Sequence, residues 1–364
     1  MGRLTSWKHW PLLLGAVIVA AAVLAALRIS PEEQGYRDAL LLSREWYLNN
    51  QDDFFLHYTY YPEEDAYSNE THRLREVAAL WNVATLANEL DDPELRTLAQ
   101  RGFSSFEKSF EFDSEGRFFY VDITPKSVKL GYSAFIILAL LEMEHPRRDN
   151  YLDGFAEGIL SLQNEDGSFD THFFSNSTSS TDYYPGEAMT ALMALYYHDA
   201  DERYLSAVKR AFPYYISYWR GNPTTAFVPW QSRAYSQLHR TVPDTIVGDF
   251  VFEMNDWLLE RHEPSGECRY FAFDDRRSTV GVYMEGVAEA YALAKRRGDA
   301  LHARCYGNYL REGAGFLADM QVKASEHAAA VGGFPGADGS MRVDRQQHAV
   351  FALLGACDAG AIEC

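Results

Sequence analysis

One stretch, Tyr151–Asp199, dictates the shape that the whole chain can take. It reads YLDGFAEGILSLQNEDGSFDTHFFSNSTSSTDYYPGEAMTALMALYYHD. Phe155, Ile159, Leu160 and Leu162 fall at helical spacing, which predicts an amphipathic helix ending near Gln163. Asp166-Gly167 then predicts a tight turn, because glycine supplies positive φ without steric cost. A short aromatic ribbon from Phe169 to Phe174 and a Ser/Asn/Thr loop follow. Pro185 and Gly186 open a second helix, with proline in the first turn where its missing N–H costs nothing. Met189, Leu192, Met193, Leu195 and the alanines of that helix run nearly all round, so burial on most sides is predicted.

The same unit recurs: outer helix, turn, aromatic ribbon, polar loop, inner helix. An outer helix near Tyr36–Leu48 leads to NNQDDFFLHYTYY and then to HRLREVAALWNVATLANEL. The small residues near the start of the inner helices (Ala79, Ala134, Ala188, Ala234, Gly286, Ala349) stand roughly 46–63 positions apart. An open solenoid of such hairpins needs polar capping repeats, and neither the first nor the last hairpin resembles one. The prediction is an all-α closed ring of six helical hairpins, an (α/α)6 toroid spanning residues 36–364. Its inner helices should begin near Arg73, Gly131, Pro185, Trp230, Tyr283 and Arg342.

The N-terminus is separate. Residues 11–27 (PLLLGAVIVAAAVLAAL) form an uncharged apolar run at the short end of what spans a bilayer. Arg3 and Lys8 precede it, while Arg28 is followed directly by Glu32 and Glu33. The positive-inside rule then predicts a cytoplasmic tail at residues 1–10, a signal-anchor helix at 11–27 and a linker at 28–35. On this reading the ring lies outside the cytoplasm, in the periplasm or extracellular space; cleavage as a signal peptide is the alternative. The formal charge of −19 argues against a nucleic-acid partner and, unless a local basic cleft exists, against a polyanionic substrate. The four cysteines show no metal spacing and in an oxidising compartment are free to pair.

Leu162–Phe169, with its Gln-x-x-Asp-Gly-Ser-Phe string, resembles the repeat of terpenoid cyclase and protein prenyltransferase toroids. The six-hairpin arrangement also resembles the glycosidase, lyase and sugar-epimerase toroids. Weaker echoes of the motif occur at Gln51 and at Gly332-Gly333-Phe334. The terpenoid branch implies a D-x-D-D acid string, which is missing here. The prenyltransferase branch implies zinc held by Cys and His. Asp344 and His348 have helical ligand spacing, but no cysteine starts an inner helix, so neither metal nor cofactor is expected.

In such a ring the six inner-helix N-termini converge on one mouth, the default place for a site. Asp182, Glu187, Glu285, Asp344 and His348 are the candidate catalytic residues. Arg73, Tyr132, Tyr183, Tyr184, Trp230, Tyr283, Arg342 and Gln347 are the candidate substrate contacts. Each has a plainer explanation. Glu187 would offset the dipole of its own helix, Asp182 would make an Asx-turn, and Asp344 would pair with His348 or Arg342. Two carboxylates across a mouth lined with aromatic rings suit glycoside hydrolysis, one holding its proton while the other acts as base or nucleophile. The expectation is therefore a membrane-anchored, extracytoplasmic, glycoside hydrolase-like enzyme of cell-envelope or capsular polysaccharide. A glycan- or protein-binding toroid in polysaccharide assembly or export is the alternative, and a sugar epimerase (His348 as acid/base) or polysaccharide lyase is a third reading.

Overall fold

Small and apolar residues on every side of six segments place those segments inside, and the amphipathic segments between them outside. The computed structural model describes residues 31–123, 126–273 and 279–364. The inner helices are α2 (Arg73–Glu89), α4 (Leu130–Leu141), α6 (Tyr184–Asp199), α8 (Val228–Thr241), α10 (Thr279–Arg297) and α12 (Val343–Asp358). The outer ones are α1 (Pro31–Asn49), α3 (Pro93–Glu107), α5 (Arg148–Ser161), α7 (Glu202–Gly221), α9 (Thr245–Leu259) and α11 (Ala300–Met320). Each inner helix packs on the next, and α12 packs on α2, so the ring closes. The run 11–27, expected to be a signal anchor, lies outside the described residues, as do residues 1–10 and 28–30. Among the described residues no helix is long and apolar enough to cross a membrane.

Connections set the two ends apart. Each of the first five inner helices is followed by a short turn and then packs on the next outer helix, as α2 does on α3 and α10 on α11. The long aromatic ribbons all lie at the other end, where inner helices begin. One ribbon strand, Thr59–Tyr61, pairs antiparallel with Ala66–Tyr67 on one side and with Met341–Arg342 on the other. That pairing seats the start of α12 against the loop before α2, with Val343 N–H donating to the Tyr58 carbonyl at 3.0 Å.

The QNEDGSF motif is a rivet between neighbouring hairpins. Gln163 Nε2 donates to the Gly167 carbonyl (3.2 Å) and to the Ala207 carbonyl of α7 (2.9 Å). Gly167 has φ +91° and lies so close to the Arg210 carbonyl that a Cβ would overlap it. Hairpin six repeats the device. Gln321 Nε2 donates to the Gly332 carbonyl (2.9 Å) and to the Ala39 carbonyl of α1 (3.0 Å). Gly332, at φ +82°, abuts the Leu42 carbonyl in the same way. Ala39 to Leu42 has the same spacing as Ala207 to Arg210, so the second rivet joins the last hairpin to the first helix and fastens the ring.

All four cysteines pair. Cys268–Cys305 ties a ribbon to α11, and Cys357–Cys364 ties the end of α12 to the C-terminus.

Candidate active site

Five of the six inner helices open on a described residue that makes no side-chain cap. His72, Lys129, Tyr183, Phe227 and Arg342, which precede α2, α4, α6, α8 and α12, make no capping hydrogen bond. Their first-turn N–H groups therefore face the mouth carrying the positive end of the helix dipole. Four outer helices, α3, α7, α9 and α11, are capped at the opposite end by aspartates: Asp92, Asp201, Asp244 and Asp299.

A cavity of about 470 Å³ fills the mouth, and all six inner helices line it. Tyr183, Tyr184, Glu187, Trp230, Tyr283, Arg342, Asp344, Gln347 and His348 line it, as the sequence places them. Four candidates lie elsewhere. Asp182 stands behind the wall, accepting a hydrogen bond from the Tyr218 hydroxyl of α7 at 3.0 Å. Arg73 points away, paired with Glu76 and lying 3.7 Å over the Phe54 ring. Tyr132 is fully buried, its hydroxyl donating to Asp122 at 2.7 Å. Glu285 sits one layer deeper and reaches the cavity only through His348, whose Nδ1–H donates to Glu285 Oε1 at 2.6 Å. The reason is depth along the helix. Glu285 is three residues further into α10 than Glu187 is into α6, about 4.5 Å at the rise of an α-helix.

Glu187 is the least supported charge in the mouth. It is 4 % exposed, and its Oε2 has no hydrogen-bond partner. The missing side chain of Gly131 on α4 makes its room, since a Cβ there would collide with Oε2. Burial alone pushes its carboxyl up to about 8, so Glu187 is largely protonated at neutral pH.

Asp344 has the opposite fate. It accepts from Arg342 Nε (3.0 Å) and Nη2 (2.8 Å) and pairs with Arg75 Nη1 at 3.0 Å. Burial pushes its carboxyl up, but Arg75 and Arg342 together outweigh that and hold it below the usual carboxylate range. Arg75 also donates to the Tyr58 hydroxyl. Glu285, 3 % exposed, is bracketed by His348 on one oxygen and by Arg233, 3.7 Å away, on the other. Its carboxylate fixes the imidazole with the proton on Nδ1 and leaves Nε2 as the basic nitrogen. Sequence reasoning overlooked His72 and Arg345, which also line the mouth. Both sit at an inner-helix start, which was the available signal. Among the described residues no group of His, Cys, Asp and Glu is arranged to hold a metal.

No protein-family model matches the chain, and no curated protein matches it. Solved structures do. A D-mannose isomerase is similar at 12 % identity with TM-score 0.63, over 89 % of this chain and 97 % of that one. An inactive variant of the α-1,6-mannanase of Salegentibacter sp. HEL1_6, in complex with α-1,6-mannotriose, is similar at 11 % identity and TM-score 0.62, over 89 % and 99 %. An unsaturated glucuronyl hydrolase specific for heparin is similar at 9 % identity and TM-score 0.62, over 91 % and 98 %. At such identities the likeness establishes the fold alone: the chain is a six-hairpin (α/α)6 toroid.

Proposed function

We propose that the chain is a carbohydrate-active enzyme of the glycoside hydrolase kind, with Glu187 as its general acid. The carrying observation is the pair of opposed protonation states in one cavity: Glu187 held neutral by burial and Asp344 held ionised by two arginines. Glu187 gives its proton to the departing glycosidic oxygen as the C–O bond breaks. His348, oriented by Glu285, takes the proton of the water that adds to the anomeric carbon. Asp344 is too firmly paired to act as base; it holds Arg75 and Arg342 in place. Tyr183, 45 % exposed, and the half-buried Tyr283 offer ring faces for a sugar to stack on, with Trp230 in the floor behind them.

The mannanase variant solved with mannotriose is inactive through replacement of two adjacent aspartates. Among the described residues of this chain, adjacent aspartates occur at Asp52-Asp53 and Asp91-Asp92, and none of them lines the mouth. The acid–base set proposed here is thus built from other positions. The Glu285–His348 pair favours one second reading, sugar epimerisation or isomerisation, in which the imidazole removes a proton from carbon. Incubation with candidate oligosaccharides in D2O separates the two. Release of shorter sugars supports hydrolysis, and deuterium entering the sugar skeleton without cleavage supports epimerisation. Neither event, despite binding, would leave a glycan-binding module.

The site of action we propose is the cell envelope, on a polysaccharide of the envelope or capsule, with the ring tethered through residues 11–27. The apolar run with its charge asymmetry supports this, as do two disulfides of the kind that persist in oxidising compartments. A reporter fused after Cys364 should be active only if it functions outside the cytoplasm; activity of a cytoplasm-only reporter would refute the topology.

A further inference from the structure

We infer that the sugar held in the mouth is acidic, bearing a carboxylate or sulfate that Arg75 and Arg342 bind; this rests on the carbohydrate reading above. The argument starts from charges of the wrong sign for their place. Arg75 lies in the first turn of α2, Arg342 immediately precedes α12, and Arg345 lies in its first turn. Cations at helix N-termini oppose the dipole, and here the N-termini are uncapped besides. Folding alone gives no reason to gather arginines there.

The compensation inside the mouth is incomplete. Asp344 is its one ionised carboxylate among the described lining residues, since Glu187 keeps its proton, and Arg345 is tied to Asp338 at 3.4 Å. One carboxylate between Arg75 and Arg342 leaves an excess positive charge, on a chain whose net charge is −19. Arg75 hydrogen-bonds to protein only through Nη1, and its side chain stays 39 % exposed where it lines the cavity. Two side chains that are almost fully buried also present unpartnered polar atoms there: Glu187 Oε2, and Nε2 of Gln347, which is 1 % exposed. Unmet donors and cations beside exposed tyrosine faces fit a sugar ring with an anionic substituent. Asp344 holds both guanidiniums in place, Arg342 through Nε and Nη2 and Arg75 through Nη1, so that two planar cations stand side by side for a carboxylate or sulfate.

The test is equilibrium binding to the full chain at low salt. Oligogalacturonate and oligoglucuronate are compared with neutral glucan and mannan oligosaccharides of equal length, and with a sulfated neutral oligosaccharide. The acidic chains should bind at least about tenfold tighter than the neutral ones, with the advantage shrinking at high salt. Preference for the carboxylated or for the sulfated chain tells which anion is read. Arg75→Gln should erase the advantage of acidic over neutral chains, and Arg240→Gln, at the opposite end of the ring, should change nothing. Equal or tighter binding of neutral chains would overturn the inference and leave the carbohydrate reading standing. Failure of every oligosaccharide to bind would overturn both. An advantage for acidic chains that survives in Arg75→Gln would place their anion elsewhere and also overturn it.

Discussion

The two ends of the ring hold cavities of similar size, about 470 Å³ where the inner helices begin and about 510 Å³ where they end. Both contain arginines, carboxylates and aromatic rings, yet they differ in how charge is balanced. At the C-terminal end Arg240 and Arg296 lie in last turns, where a cation complements the dipole. Arg233 there stands 3.7 Å from both Glu285 and Glu289, and Glu142 and Asp358 add further negative charge. Four of the outer helices starting at that end are capped by aspartates. At the N-terminal end five helix starts are bare, arginines oppose the dipoles and a carboxyl oxygen is held without a partner. One end is settled as folded; the other is arranged for something not yet bound.

The largest effect should follow from Glu187→Gln. It keeps the shape and removes the transferable proton, so turnover should fall about 10²–10⁴-fold while the circular dichroism spectrum is unchanged. The pH dependence is fixed in sign. The folded-state carboxyl titrates near 8, above its ordinary 4.5, so the folded state binds the extra proton between those values. Stability associated with that proton is present below the ordinary value and is lost as pH climbs through about 8. Wild-type activity should decline on the same limb, and Glu187→Gln should melt several degrees higher than wild type above pH 8, with little difference in acid.

Glu285→Gln comes next. It leaves the ring filled but loosens His348, so kcat should drop about 10–100-fold, with the acid limb of the pH profile displaced. A loss of melting temperature with kcat and the profile unmoved would make Glu285 a strut between the two cavities.

Asp344→Asn should act on stability as much as on activity. It leaves Arg75 and Arg342 facing each other unneutralised, at a cost of about 1–3 kcal/mol, reduced by their partial exposure. Since the native carboxyl titrates below its ordinary range, that stabilisation is present above the ordinary value and vanishes as pH falls through the native one. The gap between variant and wild type should therefore close in acid.

The architecture was legible because burial leaves a periodic mark. Six helices that are small or apolar all round begin at Arg73, Leu130, Tyr184, Val228, Thr279 and Val343, each within a few residues of its predicted start. The rotation and depth of each side chain were less legible. Arg73 and Arg75 differ by two positions on one helix, about 200° of rotation, and only Arg75 turns to the cavity. Aligning the small residues treated Glu187 and Glu285 as equivalent, although their helices start at different distances before them. Asp182 was drawn off by Tyr218, a partner on another helix that no local pattern announces. The QNEDGSF string resembles a mark of kinship, yet its work here is mechanical; the weaker echo at Gly332 is the second such rivet, and only its glutamine, Gln321, stood too far upstream along a longer loop to be paired with it.

The smallest effect should come from the balanced end. Asp244→Ala removes a cap that accepts from Ile246 N–H at 2.8 Å and should cost about 1 kcal/mol, with catalysis untouched. The converse, Lys129→Asp before α4, should supply a missing cap at the mouth, raise stability by a similar amount and weaken binding of acidic sugars.

The central claim, that the mouth holds a neutral carboxylic acid, is open to direct reading. With carboxyl-labelled glutamate, the signal missing from Glu187→Gln is that of Glu187, and its carbon shift can be followed across pH. The structure predicts a protonated carboxyl at pH 7 that titrates near 8. An ionised Glu187 at pH 7, titrating in the ordinary glutamate range, would contradict the account.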